Sequence, residues 1–377
     1  MGILQYTFVN LKSYPTFVTE QEANSFFKDK KYCMLPIQLQ IERKYDETVP
    51  NKYHWKTYPC ICYNNFNKPE YKCISTNLDD IFDNYKKHIE ILKTTNRDND
   101  WKICENCKLY NQHKDSFYNG RALFDNFNEY GKSLYESFEV DKTKDLPIYP
   151  YEVNLCLESS CNLKCPTCRT QNIELPDILE EDLNKLFEYS KNCKCVSLGG
   201  DGELFLNSSY MKMLQFDYSN TNVEKIILYT NGTLLNKTNW DKINPKNIPL
   251  IKEIKISIDA ANEETYKKVR SQTLWNTLMD NIKFIKENKP TDCILSTTFT
   301  ISKFNCNDII IFPDFSRNIG FDRVCYSFAR PILHNTDKNN SDFVITDETT
   351  KYQITYIINK QIKNYNNFLN NSFIVLT

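Results

Sequence analysis

Short apolar runs, each closed by a polar or glycine-bearing turn, recur from the middle of this chain onward. YEVNLC (151–156), CVSLGG (195–200), KIILYT (225–230), IKISID (254–259), CILSTTFT (293–300) and FDRVCYSF (321–328) read as six strands. Helical periodicity lies between them. DILEEDLNKLFEY (177–189) puts Leu179, Leu183, Leu186 and Phe187 on one side, with Pro176 placed to start the helix. From Glu263 to Asn288, the spacing of Trp275, Leu278, Ile282 and Ile285 predicts one amphipathic helix. Strands joined by long helical crossovers imply a parallel sheet. The expected class is therefore α/β, a partial (β/α)6 TIM-like barrel with a small cysteine-rich α+β domain before it. DLPIYP (145–150) reads as a linker, because its two prolines discourage regular structure. The expected domains are 1–147, 148–335 and a C-terminal extension, 336–377, packed on the core. In that extension YQITYII (352–358) reads as one strand. The first third is less regular, with a helix running from about Asn67 or Leu78 to Leu92 between cysteine-bearing turns.

Composition narrows the function. The 377 residues are 41% hydrophobic and 14% aromatic, enough for one large core or two smaller ones and unlike a disordered chain. Lys and Arg total 47 against 48 Asp and Glu, so no global basic field recruits nucleic acid. A local patch around Lys225, Lys252 and Lys255 stays open. No apolar run is long enough to span a bilayer, and the N-terminus lacks the pattern of a signal peptide. The expectation is a cytoplasmic protein with reduced thiols and no membrane partner. Asparagine, abundant throughout, reads as compositional bias.

Fifteen cysteines are many for a reducing compartment. Three of them, Cys161, Cys165 and Cys168, share one loop, CNLKCPTC. A triplet cannot pair evenly into disulfides, and a tetrahedral zinc site needs a fourth ligand. Three thiolates do suit a [4Fe-4S] cubane with one iron left open to a small molecule. Cys156, inside a strand, is open between a fourth ligand and a buried apolar residue. Downstream, GGDGE (199–203) supplies Gly199, Gly200 and Gly202 for close backbone approach and Glu203 as an acceptor for an ammonium. LYTNG (228–232) ends a strand in a turn that Asn231 either caps or opens into a pocket. Ser257 and Asp259 fall on one strand face by alternation, Ile254, Ile256 and Ile258 on the other.

This order of motifs resembles the radical S-adenosylmethionine (SAM) superfamily, over about half the chain, 150 to 330. The loop has Thr167 where the family commonly has an aromatic residue, and Leu204 replaces the proline of the Glu-Pro that usually ends the glycine motif. The resemblance implies that Cys161, Cys165 and Cys168 hold the catalytic cluster and that SAM chelates its open iron. Reduction then yields methionine and a 5'-deoxyadenosyl radical. It also implies that Gly199, Gly200, Gly202 and Glu203 meet the methionine end, that Asn231 helps shape the SAM pocket, and that Ser257 and Asp259 meet the ribose. Arg270 is open between the SAM carboxylate and a helix-face acid; Arg169 reads as structural. Cys193, Cys195, Cys293, Cys306 and Cys325 read mostly as buried small hydrophobes, with Cys325 also open to facing substrate.

The N-terminal cysteines resemble, in their order, the SPASM or twitch auxiliary-cluster module of peptide-modifying radical SAM enzymes, displaced to the front of the chain. That implies a second [4Fe-4S] cluster on Cys33, Cys62, Cys104 and Cys107, with Cys60 and Cys73 competing and a zinc knot as the other reading. The implied substrate is a peptide or protein, giving oxidation, crosslinking or epimerisation, with a flavodoxin- or ferredoxin-like electron donor. The alternatives are a dehydrogenase of a sugar or other small metabolite, RNA modification, and a non-catalytic iron-sulfur or zinc protein that docks partners.

Overall fold

The fold comes from a computed structural model, which describes residues 38–50, 52–58, 73–87, 149–168, 175–270, 274–329, 342–369 and 374–376. Cys33, Cys60, Cys62, Cys104, Cys107 and Arg169 lie outside the described residues. The chain divides into two units, Tyr6–Cys156 with Ile178–Val196, and Met1–Gln5 with Leu157–Asp177 and Ser197–Thr377.

In the first unit, β1 (Gln38–Tyr45) pairs antiparallel with β2 (Tyr53–Tyr58), opposing Ile41 to Thr57 and Arg43 to Trp55. β3 (Cys73–Ser75) extends β2, and a helix, α1 (78–87), follows it. Asn77 caps this start, its Oδ1 accepting from the Asp79 amide at 3.0 Å. β4 (Glu152–Cys156) runs parallel to β1. The helix predicted over 177–189 forms as α2 (Glu180–Ser190), later than Pro176 suggests. Its first turn carries Glu180, Glu181 and Asp182, which suit the positive end of the helix dipole. Leu179 stays extended and 52% exposed, so the buried side is Leu183, Leu186 and Tyr189 instead. These pack in a core with Ile41, Trp55, Leu78, Ile81, Tyr85, Val153 and Leu155.

In the second unit the strands β5 (Cys195–Leu198, straddling the division), β6 (Lys225–Thr230), β7 (Ile251–Ser257), β8 (Ile294–Ile301) and β9 (Arg323–Phe328) line up in chain order. The pairs β6–β7, β7–β8 and β8–β9 are parallel. With β4, all six predicted strands form, and the class is α/β with the strand succession of a partial barrel. β10 (Ile374–Leu376) covers the β9 edge. The crossovers carry α3 (Ser208–Gln215), α4 (Glu263–Arg270), α5 (Trp275–Asn288) and α6 (Phe312–Ile319). One face of this sheet is apolar. Ile256 of β7 and Leu278 of α5 both crowd Gly232, and Phe299 of β8 packs on Phe312 of α6 with ring centroids 4.6 Å apart.

Two expectations change. The single helix over 263–288 is two, α4 and α5. Tyr266, Val269 and Arg270 are buried in one and Leu278, Ile282 and Ile285 in the other, and the two stripes differ in phase. The predicted strand at 352–358 lies inside a 22-residue helix, α7 (Glu348–Leu369). Ile354 and Ile358, one helical turn apart, are buried, while Tyr352 and Tyr356 are exposed. Alternation would have put all four on one face.

Candidate functional site

The cysteine loop is held from behind by the glycine turn. Gly202, at φ +73°, lies against the chain just ahead of Cys161: a Cβ there would fall 2.5 Å from the Ser160 carbonyl oxygen. Gly199, at φ +103°, is equally tight against the Tyr229 carbonyl, so these glycines serve backbone contact within the fold. The Glu203 amide donates to the Ser160 carbonyl at 2.9 Å. Tyr210, from α3, accepts from the Leu157 amide at 2.9 Å and donates to the Asp201 carbonyl at 3.2 Å. Ser209 donates to the Glu158 carboxylate at 2.7 Å.

Glu203 is fully buried. One carboxylate oxygen accepts from Thr230 Oγ1 at 2.6 Å and the Phe205 amide at 3.2 Å, the other from the Asn231 amide at 2.7 Å. Burial pushes its carboxyl up, against the pull of those donors and of Arg270. Its side chain thus ties the glycine turn to the end of β6. Asn231 bridges its own turn and the cysteine loop. Its Oδ1 caps the turn through Thr233, and its amide donates to Asn162 at 2.9 Å and reaches Cys161 Sγ at 3.7 Å.

β7 ends at Ser257. Asp259 takes φ +61°, so the alternation that put it beside Ser257 does not reach it. The Thr300 amide donates to one of its carboxylate oxygens at 2.7 Å, and Arg270 pairs with the other at 2.8 Å. Arg270 thus pairs with an acid just past the end of β7 and not with one on a helix face, and its second guanidinium nitrogen lies 3.6 Å from Cys165 Sγ. Burial raises the Cys165 thiol, and the neighbouring Arg270 draws it back toward thiolate. Ser257 accepts from Thr298 at 3.0 Å.

None of the three loop cysteines is in a disulfide; Cys165 is buried, Cys161 half-buried and Cys168 exposed. The Cys168 amide donates to the Cys165 carbonyl at 3.1 Å, closing the loop into a turn. Among the described residues no three Cys, His, Asp or Glu side chains converge where one metal ion would sit. A cubane takes one thiolate per iron, so its ligands need not converge. The donor set fits it: three thiols on one turn, two of them facing N–H groups that favour the thiolate. Cys156 is buried on β4 beside Gln40, and Cys73 is half-buried on β3. Cys193, Cys195, Cys293 and Cys325 are buried as expected, whereas Cys306 is half-buried.

Several residues that hold the site escaped the sequence reading. Asn281 of α5 donates to the Gly232 and Thr233 carbonyls at 2.9 and 2.8 Å. Asn305 donates to the Asp259 and Thr300 carbonyls at 2.9 and 3.0 Å. Asn207 does the same for Ser160 and Glu203 at 3.2 and 2.6 Å. Asparagine frequency was the available signal; what had read as bias includes buried clamps on the loops. The basic patch considered at Lys225, Lys252 and Lys255 is not a surface feature. Lys225 and Lys255 are buried, and Lys252 pairs with Asp292.

No protein-family model matches the chain, and no curated protein does. Among solved structures, the chain is similar to Streptococcus suis SuiB bound to S-adenosylmethionine, with a TM-score of 0.48 and 13% identity over 89% of this chain and 72% of that one. It is similar to SuiB bound to the precursor peptide SuiA, at 0.46 and 12% over 92% and 72%. It is also similar to native anSMEcpe with bound AdoMet, at 0.42 and 16% over 56% and 60%.

Proposed function

We propose that this chain is a radical SAM enzyme acting on a peptide or protein. The observation that carries the reading is the wiring of the thiol loop. The glycine turn, the end of β6 and the Arg270–Asp259 pair, far apart in sequence, are all fastened to the segment bearing Cys161, Cys165 and Cys168. Such convergence on three thiols supports a cofactor site.

Cys161, Cys165 and Cys168 would hold a [4Fe-4S] cluster. When bound, cluster and SAM supply the electron transfer to the sulfonium and the hydrogen abstraction that follows. The chain's part is placement and shielding. Arg270 holds the Cys165 sulfur in a donor's field, and Asp259 fixes that guanidinium. Asn231 holds the Cys161 side of the loop. Glu203 keeps the glycine turn and the β6 end in register, leaving backbone groups of Gly199, Gly200 and Gly202 to line the cofactor's methionine end. Ser257, half-buried at the end of β7 and bonded to Thr298, is the group left to meet the ribose.

The N-terminal cysteines belong to the same proposal, with Cys33, Cys62, Cys104 and Cys107 holding a second cluster. The peptide substrate class and a flavodoxin- or ferredoxin-like donor rest on the resemblance of that cysteine order.

Anaerobic reconstitution tests all of this. About eight irons per chain are expected with both clusters and about four with one. Cys165→Ala should abolish reductive SAM cleavage, and Cys104→Ala should halve the iron. SAM cleavage surviving in Cys165→Ala would overturn the assignment.

A further inference from the structure

Opposite its apolar, helix-covered face, the sheet of the second unit is polar, and the polar side chains are buried. Glu253 of β7 is 0% exposed, Lys255 2%, Ser296 of β8 0% and Arg323 of β9 2%. Strand register sets Lys255, Ser296 and Arg323 side by side in one row, and Ser257, Thr298 and Cys325 in the row above. Glu253 accepts from Ser296 at 2.7 Å and from Arg323 at 3.3 Å, and Lys225 lies 3.8 Å from its other oxygen. One carboxylate is thus divided among three cations.

Lys255 shares that carboxylate without a hydrogen bond to it. Its ammonium is 3.7 Å from Glu253, beyond hydrogen-bond range, and 5.1 Å from the centroid of the Tyr229 ring. It makes no hydrogen bond to any described residue. A lysine head carries three donors, and leaving them unmet in a buried place is costly. Ser257, half-buried where Lys255, Ser296, Arg323, Thr298 and Cys325 are buried, is the most open position of the two rows. Lys255 lies two residues deeper on the same face, roughly 7 Å along the strand.

We propose that Lys255 is a substrate-anchoring residue, whose ammonium receives a carboxylate that enters past Ser257. The inference deepens the reading above by naming a feature of the substrate, an acidic group, and rests on that reading for the word substrate. A single ammonium beside Glu253 suits a singly charged carboxylate better than a phosphate, whose second charge would meet Glu253. The acid has two sources in a peptide, an Asp or Glu side chain and the free C-terminus, and a small carboxylic acid is a third.

Calorimetric titration of the reconstituted full-length protein tests the proposal and separates these sources. The probes are acetyl-Ala-Glu-Ala-amide, acetyl-Ala-Ala-Ala with a free C-terminus, and glutarate, each set against its neutral amide, with inorganic phosphate as a further anion. At least one acid should bind, with its amide weaker by about tenfold or more, the equivalent of one charge-assisted hydrogen bond. Lys255→Met should lose that preference and Lys255→Arg should keep most of it. If Lys255→Met does not fold, protection of Lys255 from acylation by the bound acid, read by mass spectrometry on the wild type, serves instead. Amides binding as well as acids, phosphate binding more tightly than any acid, undiminished binding by folded Lys255→Met, or no binding of any acid would overturn the proposal. SAM titration of the same wild-type sample reads the proposed function separately, so either can fail alone.

Discussion

Asp259 and Glu203 show how a side chain's role is set by what surrounds it. Both are acids placed where a cofactor's polar groups were expected, and both have their carboxylate oxygens occupied within the fold. A buried acid in that state fastens one loop to another, and its loss exposes its partners to an apolar interior. The glycines obey the same logic. Gly202→Ala forces a Cβ to 2.5 Å from the Ser160 carbonyl and 2.7 Å from that of Glu158, at a positive φ. Both contacts are backbone, so neither yields cheaply. We expect a loss of about 2–4 kcal/mol in denaturant unfolding, together with weakened retention of iron, because the displaced segment leads directly into Cys161. Unaltered stability would mean that the turn relaxes away from the cysteine loop.

At the scale of elements, the loops at the strand ends are held by side chains from neighbouring helices. α5 supplies Asn281, whose amide spans the Gly232 and Thr233 carbonyls. Asn247, equally buried, accepts from the Tyr218 amide and donates to the Leu214 and Phe216 carbonyls. Asn281→Leu keeps the volume of the helix face but removes both bonds to the loop after β6. It should cost about 2–3 kcal/mol through two unmet carbonyls and raise the dissociation constant for SAM. Chemical denaturation and SAM titration measure the two effects. The conservative Asn281→Gln should recover neither fully, because its longer side chain alters the reach. The sequence showed α5 as an amphipathic helix, but an Asn on its buried face gives no local sign of what it holds.

At the scale of the whole molecule, the Glu253 cluster joins buried charges from β6, β7 and β9 with a hydroxyl from β8. Burial by itself would raise the Glu253 carboxyl; Lys255, Arg323 and Lys225 overcome that and hold it at about 2. A carboxyl held below its ordinary 4.5 contributes stability above that pH, and the contribution is lost as pH falls through about 2. The shift corresponds to something on the order of 3 kcal/mol at neutral pH. Glu253→Gln should therefore destabilise the protein by roughly that much or more at pH 7, since it leaves cations buried around a neutral group. The gap to wild type should close as pH approaches about 2. Glu203 and Asp259, which burial pushes the other way, are present in both proteins and cancel in the comparison. A gap independent of pH would mean that packing, not charge, accounts for the loss.

The sequence by itself determined the class and the ingredients. Six apolar runs became six strands because a buried parallel strand needs little beyond a short apolar stretch and a turn, and the spacing of the cysteine triplet put three thiols on one loop. The tail at 352–358 was ambiguous, since a short apolar run fits either period until its neighbours choose a face. Tertiary structure alone decided how the polar groups are spent. Thr230 reaches Glu203 across 27 residues, Thr300 reaches Asp259 across 41, and Asn305 reaches the Asp259 carbonyl across 46. Partners that distant leave no periodic trace. The same holds for Lys255, one more lysine in the sequence, which becomes a buried member of the Glu253 charge cluster only when four strands lie side by side.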